Sequence, residues 1–125
     1  MSYTFQWRPV LESLPDMLSG AVVTLEIAAL AMAIGTVLAV LLALAKRSGN
    51  KTLSGLASVW IETARNTPAL FQIYMVYFGL GSIGMGIDSY YALLLGITFN
   101  NAGYLAETFR GGFSAVPETQ VRAAR

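Results

Sequence analysis

Residues 27–45, IAALAMAIGTVLAVLLALA, form a continuous apolar run without a single charged side chain. An α-helix rises 1.5 Å per residue, so a helix of this length nearly crosses a hydrocarbon core about 30 Å thick. The composition points the same way, because 55% of the chain is hydrophobic and only 12% is charged. The run therefore predicts a membrane-spanning helix, in a chain more apolar than soluble proteins usually are.

Two residue types are missing, and their absence removes several classes of chemistry. The sequence contains no Cys and no His, which excludes disulfides, thiolate or imidazole catalysis and ordinary zinc sites. We also find no pair of carboxylates placed for general acid and base work, so an enzyme is not expected. No metal, directly bound cofactor or nucleic-acid partner is expected either.

Three apolar segments predict an all-α, polytopic membrane protein. The N-terminal residues carry Glu12 and Asp16 and lack a basic region before a short apolar core, so a cleaved signal peptide is not expected. The first hydrophobic helix is then retained. We predict an interfacial lead-in at 1–17, a membrane domain at 18–109 with spans at about 18–45, 57–79 and 90–109, and a cytoplasmic segment at 110–125.

Basic residues set the expected orientation. Lys46, Arg47 and Lys51 follow the first span, whereas Arg110, Arg122 and Arg125 follow the third. With three crossings both clusters fall on one side, and the positive-inside rule makes that side cytoplasmic. The N-terminus should therefore lie outside.

Two features of the spans indicate how the helices pack. Ala31, Gly35, Ala39 and Ala43 recur at every fourth position, which places small residues on one helical face suited to close packing, although chance in an alanine-rich segment is the alternative. In the second span Pro68 lacks a backbone donor and disfavours helix at Thr67, so we predict a helix break there.

Several polar side chains within the spans are candidates for a solute pathway. Asn100, Asn101 and Tyr104 lie in the third span, where they could line a pathway or hydrogen-bond to neighbouring helices. Glu26 could be a pathway carboxylate, or a solvated or paired acid near the outer interface. Glu107 could contact solute or pair with Arg110 one helical turn later.

The closing segment changes character after the third span. Gly111 and Gly112 are expected to end the helix, because glycine readily adopts the left-handed cap conformation. Pro117 suits the first turn of a further helix. That helix could dock on a partner at the cytoplasmic surface, or it could be an interfacial anchor or a disordered tail.

Three blocks carry a family resemblance that covers residues 17–125. YLAETFRGGFSAVPETQVRAAR resembles the cytoplasmic loop of bacterial ATP-binding-cassette importer permeases of the polar amino acid family, whose pattern is A-E-x-x-R-G-G followed by V-P-x-G-Q-x-E-A-A. WIETARNTPALFQIYMVYFGL is similar to the entry of that family's second span. SGAVVTLEIAALAMAIGTVLAVLLALAKRS is similar to its first span.

The resemblance implies a permease of the bacterial inner membrane that imports an amino acid, while a dimer of separate ATP-binding subunits hydrolyses ATP. It also implies a second permease subunit, identical or related, and an extracytoplasmic solute-binding protein. The closing helix would be the coupling helix that rests on the ATPase. The residues expected to take part in coupling are Pro117, Gln120, Arg122, Ala123 and Ala124.

The chain also departs from the family pattern. Arg122 replaces the Glu of E-A-A, Thr119 replaces the usual Gly, and Asn66 replaces the Gly of R-G-T-P. The sequence ends at Arg125, before the further spans of the family, so we expect a fragment or an accessory piece. The alternative is a small membrane scaffold without transport activity. The solute stays open, although a cationic amino acid would need a carboxylate such as Glu26 or Glu107.

Overall fold

The computed structural model describes residues 7–123, and all regular secondary structure in this part of the chain is helical, without strands. The predicted all-α class is therefore confirmed. The elements are α1 (Arg8–Glu12), α2 (Leu14–Lys46), α3 (Lys51–Asn66), α4 (Ala69–Tyr74), a π-helical segment (Met75–Gly79), α5 (Leu80–Ser82), α6 (Ser89–Ser114) and α7 (Glu118–Ala123).

The N-terminal lead-in is more helical than the sequence indicated. α1 and α2 both carry proline in their first turn, at Pro9 and Pro15, where a backbone N–H has no partner within the helix anyway. Ser13 is the N-cap of α2, and Asp16 lies in the first turn of the helix. α2 thus begins before the expected start at residue 18.

Within residues 7–123, one helix is both long and apolar enough to cross a membrane, namely α2. The segment Ala69–Ser82 is a shorter apolar helix. Pro68 separates this segment from α3, so the second predicted span consists of two short helical segments rather than one helix. α6 has 26 residues but carries Asn100, Asn101 and Glu107 among its apolar side chains.

Small residues bring α2 and α6 into the most extensive helix contact of the structure. The buried residues of α2 are Ile27, Ala31, Gly35, Ala39 and Ala43. The small-residue face predicted from the sequence is therefore confirmed. A Cβ atom added to Gly35 would lie 2.7 Å from Nδ2 of Asn101 on α6, so glycine is needed for this approach.

α6 also packs closely against the second predicted span. A Cβ atom at Gly96 would lie 2.7 Å from Cγ1 of Ile73 and 3.0 Å from its Cα. One at Gly103 would collide with the Cβ of Ala64. Because these two glycines lack a side chain, α6 can pack against both α3 and α4.

Little large apolar surface is buried by this packing. The central cluster consists of Ala39, Ile61 and Ala106, and Ile61 is the largest side chain that is fully buried. Many large residues point outward instead, such as Leu25 with 71% of its surface exposed. The outer surface is therefore suited to lipid or to further helices rather than to water.

Two glycine-rich stretches depart from the expected structure. The second predicted span ends at about residue 79, but helix continues to Ser82, and the turn that follows uses Gly84 at φ +82°. The prediction that Gly111 and Gly112 end the third helix is wrong, because α6 continues to Ser114. The guanidinium of Arg47 lies 5.8 Å from the ring centroid of Phe113, a contact that favours the additional helical turn.

Two glycines of α6 test this packing directly. Gly103→Ala should destabilise the fold by about 1–3 kcal/mol, because its methyl group would overlap Ala64. Gly112→Ala is the matched control: nothing lies within 4 Å of a Cβ there, so helix propensity should stabilise the fold by up to about 1 kcal/mol. Unfolding followed by circular dichroism in mixed micelles measures both. Equal effects of the two substitutions would contradict the close approach at Gly103.

Candidate functional site

The helix break lies between α3 and α4, at the two residues named from the sequence. Thr67 is extended, with φ −117° and ψ 141°, and Pro68 follows with φ −60° and ψ 137°. In an uninterrupted helix, the N–H of residue 68 would bond to the carbonyl of Ala64. Proline has no N–H, so this carbonyl needs another donor, and Ala64 is fully buried.

Two side-chain amides supply that donor. Nε2 of Gln72 and Nδ2 of Asn100 each donate to the Ala64 carbonyl oxygen, both at 3.0 Å. Gln72 Nε2 also lies 3.1 Å from the carbonyl oxygen and 2.6 Å from Oγ1 of Thr67. The broken end of α3 is therefore held by one amide from α4 and one from α6.

The next carbonyl is held in a similar way. The Tyr104 hydroxyl donates to the carbonyl oxygen of Arg65 at 3.3 Å. Asn101 instead contacts α2, where its Nδ2 lies 3.4 Å from the carbonyl oxygen of Ala31. All three polar residues predicted in the third span thus bond to the backbone of a neighbouring helix.

The same three residues also border open space. Asn100, Asn101 and Tyr104 line a groove of about 380 Å³ together with Ala28, Ala31, Met32 and Ile97. Tyr104 is half exposed, at 49%. Each side-chain amide donates from its nitrogen to the backbone, which leaves its oxygen available as an acceptor. Hydrogen bonding to neighbouring helices and lining a pathway, the two roles considered from the sequence, are therefore compatible.

The two predicted pathway carboxylates do not line this groove. Glu26 on α2 accepts a hydrogen bond of 2.9 Å from the Tyr90 hydroxyl at the start of α6. Glu107 accepts from Lys46 Nζ at 3.3 Å and from Arg110 Nε at 2.8 Å, with a second, shorter contact to Arg110 Nη2. α2 and α6 are thus joined by a polar contact near each end.

Gln72 is the residue that the sequence analysis missed. It lies in an apolar stretch and is only 7% exposed, yet it makes three hydrogen bonds at the break. The signal was available, since Gln72 follows Pro68 by one helical turn. A proline that removes a donor calls for a polar side chain close by.

The predicted coupling residues follow α6. Pro117 precedes α7, and its carbonyl oxygen accepts from the backbone N–H of Gln120 at 3.0 Å. Gln120, Arg122 and Ala123 are exposed. Ala124 lies outside the described residues.

Comparison with known proteins agrees with this helical arrangement. The chain is 32% identical to the arginine transport system permease protein ArtQ of Bacillus subtilis over 91% of its own length. It is 36% identical to the octopine transport system permease protein OccM of Rhizobium meliloti over 91%, and 32% identical to the glutamine transport system permease protein GlnP of Escherichia coli over 90%. Its homologues are amino-acid ABC transporter permeases. The resemblance read from the sequence is therefore confirmed.

A solved structure gives the same result in three dimensions. The fold superposes on a chain described as "Crystal structure of an amino acid ABC transporter with histidines", with a TM-score of 0.90 and 35% identity over 98% of this chain. The present chain covers 57% of that solved chain. It spans 52% of ArtQ, 50% of OccM and 52% of GlnP, about half of each relative. No family model matches the sequence.

The paired amides at the break predict non-additive energetics. Gln72→Leu or Asn100→Leu alone should cost about 1 kcal/mol, because the Ala64 carbonyl keeps one donor. The double variant should cost about 1–3 kcal/mol more than the sum, since the buried carbonyl then has none. Asn66→Leu, which removes an exposed amide at the end of α3, serves as the control. A double-mutant cycle compares the free energies of unfolding of the single and double variants. Strict additivity of these energies would mean that the two amides do not share the Ala64 carbonyl.

Proposed function

We propose that this chain is a membrane-spanning permease component of an ATP-driven amino-acid importer. It contributes part of the solute pathway and couples that pathway to a separate ATPase. The observation that carries this proposal is the superposition of 98% of the chain on an amino acid ABC transporter. The homology to ArtQ, OccM and GlnP supports it independently.

The proposed solute pathway includes the groove lined by Asn100, Asn101 and Tyr104. Amide oxygens and a phenol can accept hydrogen bonds from the ammonium group of an amino acid. Small and apolar residues complete the walls, so few groups compete for the solute. The break at Thr67 and Pro68 lies beside this groove through the hydrogen bonds of Asn100 and Tyr104. A change in the break would therefore reach the pathway directly.

The proposed partners are a dimer of ATP-binding subunits, a second permease subunit and an extracytoplasmic solute-binding protein. ATP would be hydrolysed by the ATP-binding subunits and not by this chain. α7 and the residue that follows would form the coupling helix, with Pro117, Gln120, Arg122, Ala123 and Ala124 in contact with the ATPase. The exposure of Gln120, Arg122 and Ala123 suits such a docking role.

The proposed topology is multi-pass in a bacterial inner membrane, with the N-terminus outside. α2, the segment from α3 to α5, and α6 would be the three crossings. Lys46, Arg47 and Lys51 lie at the same end of the bundle as Arg110, because Lys46 contacts the same carboxylate as Arg110. The positive-inside rule makes this end cytoplasmic.

Cysteine labelling tests the topology cleanly, because the chain has no cysteine of its own. A Met85→Cys variant places a thiol in the turn before α6, and Gly49→Cys places one between α2 and α3; both positions are exposed. In intact cells a membrane-impermeant maleimide should label Met85→Cys, and it should label Gly49→Cys only after permeabilisation. The reverse pattern would invert the topology, and equal labelling of both would exclude an odd number of crossings between them.

Capture of an ATPase tests the coupling role. The chain, co-expressed with ATP-binding subunits of amino-acid importers, should retain one of them in detergent. Gln120→Ala combined with Ala123→Glu should reduce the recovery at least tenfold, because a small docking face becomes bulky and charged. Thr119→Ser on the same helix is the control and should keep wild-type recovery. The scaffold alternative predicts no ATPase in any sample and a stable complex with another membrane protein instead.

A further inference from the structure

A second groove, of about 490 Å³, lies at the end of the bundle opposite the Lys46–Glu107–Arg110 cluster. Its walls include Val23 and Ile27 of α2, the rings of Tyr74, Tyr77 and Phe78, and Tyr90 of α6. None of the residues at the first groove lines it. Its volume falls in the range of small-molecule sites, about 300–1,000 Å³.

Glu26 places a negative charge at the rim of this groove. The Tyr90 hydroxyl, which belongs to a wall residue, donates to Glu26 Oε1 at 2.9 Å. Glu26 also follows Val23 by three positions, so it lies on the same side of α2 as that wall residue. The carboxylate is exposed and is held in place by a neutral donor.

Among the side chains that the structure describes, no ion pair involves Glu26, so no basic group balances this charge. The sequence explains why, since it has no Lys or Arg from residue 9 to 45 or from residue 66 to 109. A hydrogen bond from a phenol does not cancel a negative charge. A carboxylate beside apolar walls therefore favours a cationic ligand.

The aromatic walls favour the same kind of ligand. Tyr74 and Phe78 are 53% and 61% exposed, so their rings are accessible. Phe78 packs against Tyr74 at 5.6 Å and edge-on against Tyr77 at 4.9 Å between ring centroids, so the three rings form one contiguous aromatic surface. The face of an aromatic ring attracts an ammonium or guanidinium group and also packs on an aliphatic stem.

We infer that this groove is an entry site for the cationic side chain of an amino acid, with Glu26 as its counter-charge and the aromatic rings as its walls. The inference rests on the proposed function, because it takes this end of the bundle as the side from which solute arrives. It also assigns a substrate class: the groove prefers arginine or lysine to neutral amino acids. Tyr90 acts as a positioning residue, since it holds the Glu26 carboxylate at the rim.

Calorimetric titration of the full 125-residue chain in detergent tests the inference, with L-arginine and its neutral isostere L-citrulline as probes. Arginine should bind at least about tenfold more tightly than citrulline, because only arginine forms a charge-assisted contact with Glu26. Glu26→Gln should remove this preference. Asp16→Asn, which changes another exposed carboxylate of α2, should leave the arginine affinity unchanged.

Further variants separate charge from folding. Tyr74→Leu should weaken arginine binding several-fold by removing a ring face while keeping the charge. Circular dichroism should show wild-type helix content for every variant used. Equal affinity for arginine and citrulline, or an unchanged preference in a folded Glu26→Gln variant, would overturn the inference.

The amine headgroup of a lipid is the competing occupant of this groove. Binding measurements in nanodiscs distinguish the lipid from the amino acid. Arginine binding in discs of phosphatidylglycerol alone supports the entry site. Absence of arginine binding there, together with Glu26-dependent retention of phosphatidylethanolamine, would assign the groove to lipid instead. The titration needs no ATPase, so its failure leaves the coupling role standing. If the chain captured no ATPase but still bound arginine, the proposed importer function would be rejected and the proposed cation site would stand.

Discussion

The close approach of α6 to its neighbours is the constraint on which the rest of the structure depends. Gly35, Gly96 and Gly103 each lie where even a Cβ atom would meet an atom of the adjacent helix. Because the backbones are so near, the short side chains of Asn100 and Asn101 can reach carbonyl groups of α3 and α2. With larger residues at the glycine positions, these hydrogen bonds could not form at the same distances.

The break at Pro68 creates a polar requirement inside an apolar protein. A free carbonyl in hydrocarbon costs several kcal/mol, and no water is available in the bilayer core to satisfy it. Gln72 and Asn100 meet this requirement at Ala64, and Tyr104 does so at Arg65. Polar side chains that face the proposed pathway are thus also structural, and a substitution at Asn100 would affect both stability and solute contact.

The sequence predicted those features that depend on local pattern. Hydrophobic periodicity and single residue types were enough to predict the all-α class, the small-residue face of α2 and the helix break at Pro68. It did not predict the role of Gln72, the continuation of α6 through Gly111 and Gly112, or the pairing of Glu26 with Tyr90. The last two depend on contacts between residues distant in sequence, as with Arg47 and Phe113, and such contacts override local propensity. Gln72 instead acts within its own span, on carbonyl groups five and eight residues earlier.

The distribution of polar contacts also indicates where this bundle can move. α2 and α6 are joined near one end by Glu26 and Tyr90 and near the other by Lys46 and Glu107, with interlocked small residues between. Sliding along this pair would break these two polar contacts and the contact of Asn101 with the Ala31 carbonyl at once. The extended backbone at Thr67 and Pro68, by contrast, can change its dihedral angles while the amides exchange carbonyl partners. We therefore expect α2 and α6 to move as one body, with the hinge between α3 and α4.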